Sequence, residues 1–130
     1  NFIRKLSNKI LKHKDEITLV ERDYEGAEIV LVSYGAVARA AAAAASQARK
    51  DGIPVGTLRL ITVWPFPGEE IEKMARKAKH VIVLENNLGQ IYPYIKAEAA
   101  HFTEVSFLPP KLVGQIQDPE DILRKIREVA

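Results

Sequence analysis

Apolar positions along the chain fall into short dense runs, separated by segments whose apolar spacing is helical. Glu28-Ile29-Val30-Leu31-Val32-Ser33-Tyr34 is almost continuously apolar and stops at Gly35, as a strand covered on both faces requires. Gly56 to Val63, His80 to Glu85 and Glu104 to Leu108 repeat the pattern, so a parallel sheet is predicted. The segment between the first two runs, Ala36 to Lys50, is rich in alanine and interrupted by Arg39 and Arg49. Alanine is the best helix former and lets a helix lie close to a sheet, so this segment reads as packing, ended by Gly52. Trp64-Pro65-Phe66-Pro67 precedes a helix from about Gly68 to Lys79, and Asn86-Asn87-Leu88-Gly89-Gln90 leads into one that begins near Leu88 and runs to about Ala100. After Pro109-Pro110, Asp118 as N-cap and Pro119 at the first helical position open a last helix through Val129. Four βα units make a doubly wound α/β domain, to which Ile17–Val20 adds an edge strand.

Residues 1–26 read differently. Phe2/Ile3, Leu6 and Ile10 stand at helical spacing among five Lys or Arg, with no acid before Asp15. From Asp15 to Glu28 the sign reverses, with six carboxylates against Arg22 alone. The expected reading is a basic helix and a solvated acidic linker arriving from a preceding domain, with the regular domain over residues 27–130. The chain opens at Asn1, and a piece of a longer protein is expected.

Composition narrows the function. One hundred and thirty residues, 47% hydrophobic and 28% charged, fit one globular core. A formal charge of +2 is the cancellation of the two opposed blocks, and the basic helix lacks interleaved aromatics, so neither nucleic acid nor membrane is an expected partner. With no cysteine, the chain has no disulfide, no thiolate-held zinc or iron–sulfur cluster and no cysteine nucleophile. No apolar run approaches the roughly 18 residues of a membrane span. A soluble, cytoplasmic location is expected.

Candidate chemistry is sparse. His13, His80 and His101 never stand at ligand-pair spacing, and neither a nucleophile elbow nor a phosphate-binding loop is present. Gly35 offers one glycine where a dinucleotide turn wants three. Glu85 ends a strand, where open sheets place functional groups; it reads either as a general base or as a cap of its own loop. Trp64 and Phe66, each followed by a proline, read either as an aromatic cage or as a fixed loop packed on the domain or on a partner.

Three strings, Val32-Ser33-Tyr34-Gly35 with Ala38-Arg39-Ala40, Leu58-Arg59-Leu60-Ile61-Thr62-Val63-Trp64-Pro65-Phe66-Pro67, and Glu85-Asn86-Asn87-Leu88-Gly89-Gln90, occur in this order. Together they resemble the carboxy-terminal domain of the alpha subunit of 2-oxoacid:ferredoxin oxidoreductases, especially the 2-oxoglutarate type. Lys111 and Gly114 ahead of Pro119-Glu120-Asp121-Ile122-Leu123 are similar to the family's closing segment. The resemblance implies a transketolase C-terminal-like domain: three layers α/β/α around a five-stranded mixed sheet of order 1-3-2-4-5, strand 1 antiparallel. It implies a holoenzyme that oxidatively decarboxylates a 2-oxoacid to its acyl-CoA, with ferredoxin as electron acceptor. Thiamine diphosphate, magnesium and the iron–sulfur cluster are then held by other domains or subunits, since the Gly-Asp-Gly stretch that binds thiamine diphosphate is missing here. The implied partners are the catalytic beta subunit and the preceding alpha-subunit domain, and the fragment alone should be inactive. A departure is Ala36, where family members often carry Ser or Thr.

In that strand order the ends at Gly35 and Glu85 face one crevice. Gly35, Ala36, Glu85, Asn86, Asn87, Gly89 and Gln90 are its candidate residues, aimed at a small ligand or a partner loop. Trp64 and Phe66 are the candidate subunit contact. The other reading is a stand-alone regulatory module that holds a small anion at the helix N-termini beside Gly35 and Gly89.

Overall fold

The computed structural model describes residues 20–61, 66–86, 89–112 and 115–130. Five strands, β1 (Val20–Asp23), β2 (Ile29–Tyr34), β3 (Val55–Leu60), β4 (His80–Leu84) and β5 (Glu104–Leu108), form one sheet of order β1-β3-β2-β4-β5. β1 runs antiparallel to β3, with Val20 opposite Leu60 and Asp23 opposite Thr57. The other four are parallel and in step: Ile29 lies opposite both Val55 and His80, and His80 opposite Glu104. Their carboxyl ends therefore form a row from Leu60 through Tyr34 and Leu84 to Leu108.

Among the described residues, four helices cover the sheet: α1 (Val37–Lys50), α2 (Gly68–Ala75), α3 (Tyr92–Ala99) and α4 (Pro119–Val129). Strand alternation sorts them into layers. Ile29 and Leu31 of β2 pack with Val37, Ala41, Ala44 and Ala48 of α1 and Ile122 and Ile126 of α4. Val30 and Val32 point the other way, into Ile71 and Met74 of α2 and Ile95 and Ala99 of α3. Burying a strand on both faces in this way is why its sequence shows no polar alternation. The alanines of α1 at positions 40, 41, 44, 45 and 48 are buried at helical spacing, so the helix sits low on the sheet. The fold is the three-layer arrangement expected.

Element ends depart from expectation where local sequence had to compete with packing. Of the expected edge strand Ile17–Val20, Val20 belongs to β1; residues 17–19 lie outside the described residues. Glu21, Arg22 and Asp23, expected as solvated linker, instead form the strand, because an edge strand tolerates charge on both faces when each finds an opposite charge. Arg22 pairs with Glu70 of α2, Asp23 with Arg49 of α1 at 3.1 Å, and Glu21 with Arg59 of β3 at 3.6 Å. The helix after Gly68 ends at Ala75, not Lys79, because the Lys79 N–H is taken by Glu28 O at 2.8 Å, tying the entry of β4 to β2. The described part of the third expected strand stops at Leu60, and α3 begins at Tyr92, not near Leu88.

Candidate functional site

The chain runs from β2 out to β3 on one side and returns to β4 on the other, so chain direction reverses between β2 and β4. These are direct neighbours, with Ser33 opposite Leu84, and the turn at Gly35 and the loop after Glu85 leave the sheet side by side. Gly35 has φ +73°, a conformation side chains avoid, and Ala36 follows it as the exposed N-cap of α1. Asn86 is half-buried, Gln90 exposed, and Asn87 lies outside the described residues. Gly89, at φ +92°, passes the Phe107 ring.

Glu85 decides what lies between the two strand ends. Its side chain is 1% exposed and turns back into its own loop, where Oε1 accepts the Ile91 N–H at 2.8 Å and Oε2 the Tyr92 N–H at 3.0 Å. These are the donors at the start of α3, a helix without a conventional N-cap side chain. The residue is therefore a long-range cap, and the N-terminus of α3 already holds an anion from this chain. Tyr34, Leu60, Ile91 and Ile95 close around it, and among the described residues the gap is too tight for a water molecule. Gln117, which sequence reasoning missed, locks the arrangement from α4's side: its Nε2 donates to Glu85 O at 2.6 Å and Leu108 O at 2.8 Å. A lone glutamine in a polar loop carries no signal that it will be buried.

The other half of the strand-end row is open. A concavity of about 820 Å³ lies beside the N-terminus of α1, lined by Ser33, Gly35, Ala36, Arg39, Thr57 and Arg59 among others. Ser33 alternates with Leu31 onto the α1 face of the sheet and is 3% exposed.

Phe66, half-buried, packs on the core beneath α2 and α3, and its ring centre lies 5.8 Å from that of Tyr94. Tyr94 is 61% exposed, the partner of Phe66 that the sequence did not single out. Trp64 lies outside the described residues.

Two sets of titrating side chains have displaced pKa values. The hydrogen bond from Arg22 holds the Glu70 carboxyl below its ordinary range, while burial and the Glu70 charge raise the Tyr24 hydroxyl, which donates to Glu70 Oε1 at 3.2 Å. Burial lowers His80, whose Nε2 lies 2.6 Å from Ser106 Oγ. His80 stands at the start of β4, at the other end of the sheet from the strand-end row. Among the described residues no three His, Asp or Glu gather closely enough to hold a metal ion, and no helix is long and apolar enough to cross a membrane.

Comparison with known proteins gives this geometry a context. The chain is 41% identical over 125 residues to the 2-oxoglutarate synthase subunit KorA of Methanothermobacter thermautotrophicus, covering 95% of this chain and 33% of that one. It is 43% identical over 117 residues to the ketoisovalerate oxidoreductase subunit VorB of Methanothermobacter marburgensis, covering 90% and 33%. It thus spans about a third of the length of these curated relatives. Among solved structures, the 2-oxoglutarate:ferredoxin oxidoreductase of Magnetococcus marinus, with 2-oxoglutarate, coenzyme A and succinyl-CoA bound, matches with TM-score 0.77 and 24% identity over 98% of this chain and 22% of that one. A split-gene transketolase, an inactive beta4 tetramer, matches with TM-score 0.63 and 18% identity over 78% and 37%. Residues 27–122 match the pyruvate:ferredoxin oxidoreductase core domain II family, and with three-quarters of its length inside that match, the chain belongs to this family.

Proposed function

We propose that this chain is the C-terminal structural and assembly domain of the alpha subunit of a 2-oxoacid:ferredoxin oxidoreductase. The holoenzyme would oxidatively decarboxylate a 2-oxoacid, 2-oxoglutarate in first place, to its acyl-CoA and pass the electrons to ferredoxin. The KorA relatives support the choice of substrate, and their threefold greater length supports a role as one domain among several. The residues present do not suit thiamine diphosphate, magnesium or an iron–sulfur cluster: the chain has no cysteine, and the gap between β2 and β4 is filled by Glu85 and its neighbours. Those groups belong on this reading to other domains or subunits, with coenzyme A and ferredoxin acting at the level of the whole enzyme in the cytoplasm. What this chain contributes is a rigid three-layer body and a surface.

The observation that carries the assembly role is the exposed Tyr94 beside Phe66, which follows Trp64 by two residues in the sequence. Two prolines leave that segment little entropy to lose, and aromatic side chains of this kind anchor interfaces. The catalytic beta subunit and the preceding alpha-subunit domain are the partners we assign to it. The test is co-purification of the full alpha subunit carrying Trp64→Ala with Phe66→Ala. Association should weaken at least about tenfold, as loss of a hot-spot pair does, while the isolated 130-residue chain keeps its circular dichroism and a cooperative melting transition, lowered only by the loss of the half-buried Phe66 ring. Unfolding of the isolated chain, or unchanged association, would overturn the assembly role.

A further inference from the structure

We propose that the free edge of β5 pairs with β5 of a second copy of this chain, antiparallel about Ser106, joining the two five-stranded sheets into one. The inference does not rest on the assembly role of Phe66 and Tyr94. A sheet edge presents a row of backbone donors and acceptors, and folded chains guard it with charge, proline or a covering segment. The two edges of this sheet are treated differently. β1 carries Glu21, Arg22 and Asp23 in succession. β5, Glu104-Val105-Ser106-Phe107-Leu108, has one charged residue, at its first position, and no proline before Pro109. Among the described residues it is paired by β4 alone, and outside that ladder only Leu108 O is engaged, by Gln117 Nε2. Its apolar side chains are half-covered. Val105 and Phe107 pack on the α2/α3 side, Phe107 stacked on Tyr92 at 5.0 Å, and Leu108 packs on the α1/α4 side, yet all three keep partial exposure.

What fits this edge is read from its own sequence. A two-fold axis at Ser106 sets Val105 of one copy opposite Phe107 of the other, and Glu104 opposite Leu108. Val105 and Phe107 share the α2/α3 face, so both crossings lay a β-branched residue against an aromatic and carry the core across the junction. Ser106 meets its own counterpart, which is small and uncharged, its Oγ already 2.6 Å from His80 Nε2. The two Glu104 carboxylates fall at opposite ends of the ladder, about 14 Å apart along the strands, whereas parallel pairing in register would stack them side by side. The edge is complementary to itself in the antiparallel direction, and Pro109-Pro110 closes the ladder after Leu108.

The experiment is sedimentation equilibrium of the 130-residue chain, followed by cross-linking through one introduced thiol. So short a ladder makes a small interface and a weak dimer, so the apparent mass should climb from one chain toward two, and no further, between about 10 µM and about 1 mM. Ser106→Cys exchanges oxygen for sulfur in a chain with no other cysteine. Across the axis the two Cα atoms stand about 4.5–5.5 Å apart, within reach of a disulfide, so diamide should link Ser106→Cys into dimers and leave the exposed Arg39→Cys control at least about tenfold less linked. Ser106→Lys and Ser106→Glu should each abolish self-association by setting like charges on the axis, and an equimolar mixture of the two should restore it. If either fails to fold, the link through Ser106→Cys still discriminates. A chain that stays monomeric throughout would mean that the edge is covered by another segment of the chain or taken by a different protein, and would overturn the proposal. So would a dimer in which both thiol variants link equally, or assembly that continues past two.

Discussion

The Glu85 carboxylate accepts the backbone N–H of Ile91 at 2.8 Å from a position six residues earlier in the chain, and this one contact converts a strand-end acid into the cap of the following helix. Replacing Glu85 by Ala leaves the buried Ile91 amide and the partly buried Tyr92 amide at the start of α3 unpaired and opens a void beside Ile95. A loss of about 2–4 kcal/mol is expected, combining lost caps with a small cavity. Glu85→Gln keeps one acceptor and should lose less. Urea denaturation of the two variants ranks them; equal stability of Glu85→Ala and the parent would show that the cap is ornamental.

Gly56 sits where β1 leaves β3, and a methyl group there would collide with the Tyr24 backbone and with Asp23 O at 2.7 Å. Backbone cannot yield as a flexible side chain can. Gly56→Ala should therefore release β1, seen as fast amide exchange over Val20–Asp23, with the four parallel strands still protected. Gly52→Ala, where φ is +85° but the space is open, should cost only about 1 kcal/mol of backbone strain.

Glu70 fastens β1 to α2 through Arg22, with Arg22 Nη2 at 2.9 Å from Oε2. Its pKa is lowered in the folded state, so the unfolded chain binds the proton more readily. The stabilisation is present above the unfolded value of about 4.5 and is lost as pH falls through the folded one. The stability difference between the parent and Glu70→Gln should be full at pH 6 to 7 and shrink steadily below about pH 4.5 in denaturant titrations. A difference independent of pH would refute the ion pair as its source.

His80 has the opposite charge type and the same direction of loss. Burial lowers it, with Glu104 acting to raise it and Lys125 to lower it, so its neutral form is the folded one. Stability should be complete above the unfolded pKa of 6.5 and fall as pH drops below it, because the unfolded state takes up the proton first. In His80→Gln the slope of stability between pH 7 and pH 5 should flatten. An unchanged slope would mean that other groups carry the acid sensitivity.

What the sequence determined by itself is the element order and the layer count. Runs such as Ile29–Val32 have no polar face, so they had to be covered twice, and the alanine positions of α1 had to lie against something flat. Asp118-Pro119 fixed the start of α4 because both residues act within one turn, and Asp118 Oδ1 does accept the Glu120 N–H at 2.9 Å. The family strings around Gly35, Arg59 and Glu85 added strand order, which periodicity does not contain. Tertiary structure alone decided the rest. Glu21–Asp23 look like linker until Glu70, Arg49 and Arg59, each far along the chain, arrive to neutralise them. Glu85 looked equally fit for catalysis or capping, and the choice was made by where α3 begins and by Gln117 closing over it from 32 residues away. Charge pairing, capping over distance and concavity are set by contacts between distant segments, and no local pattern encodes the gap between them.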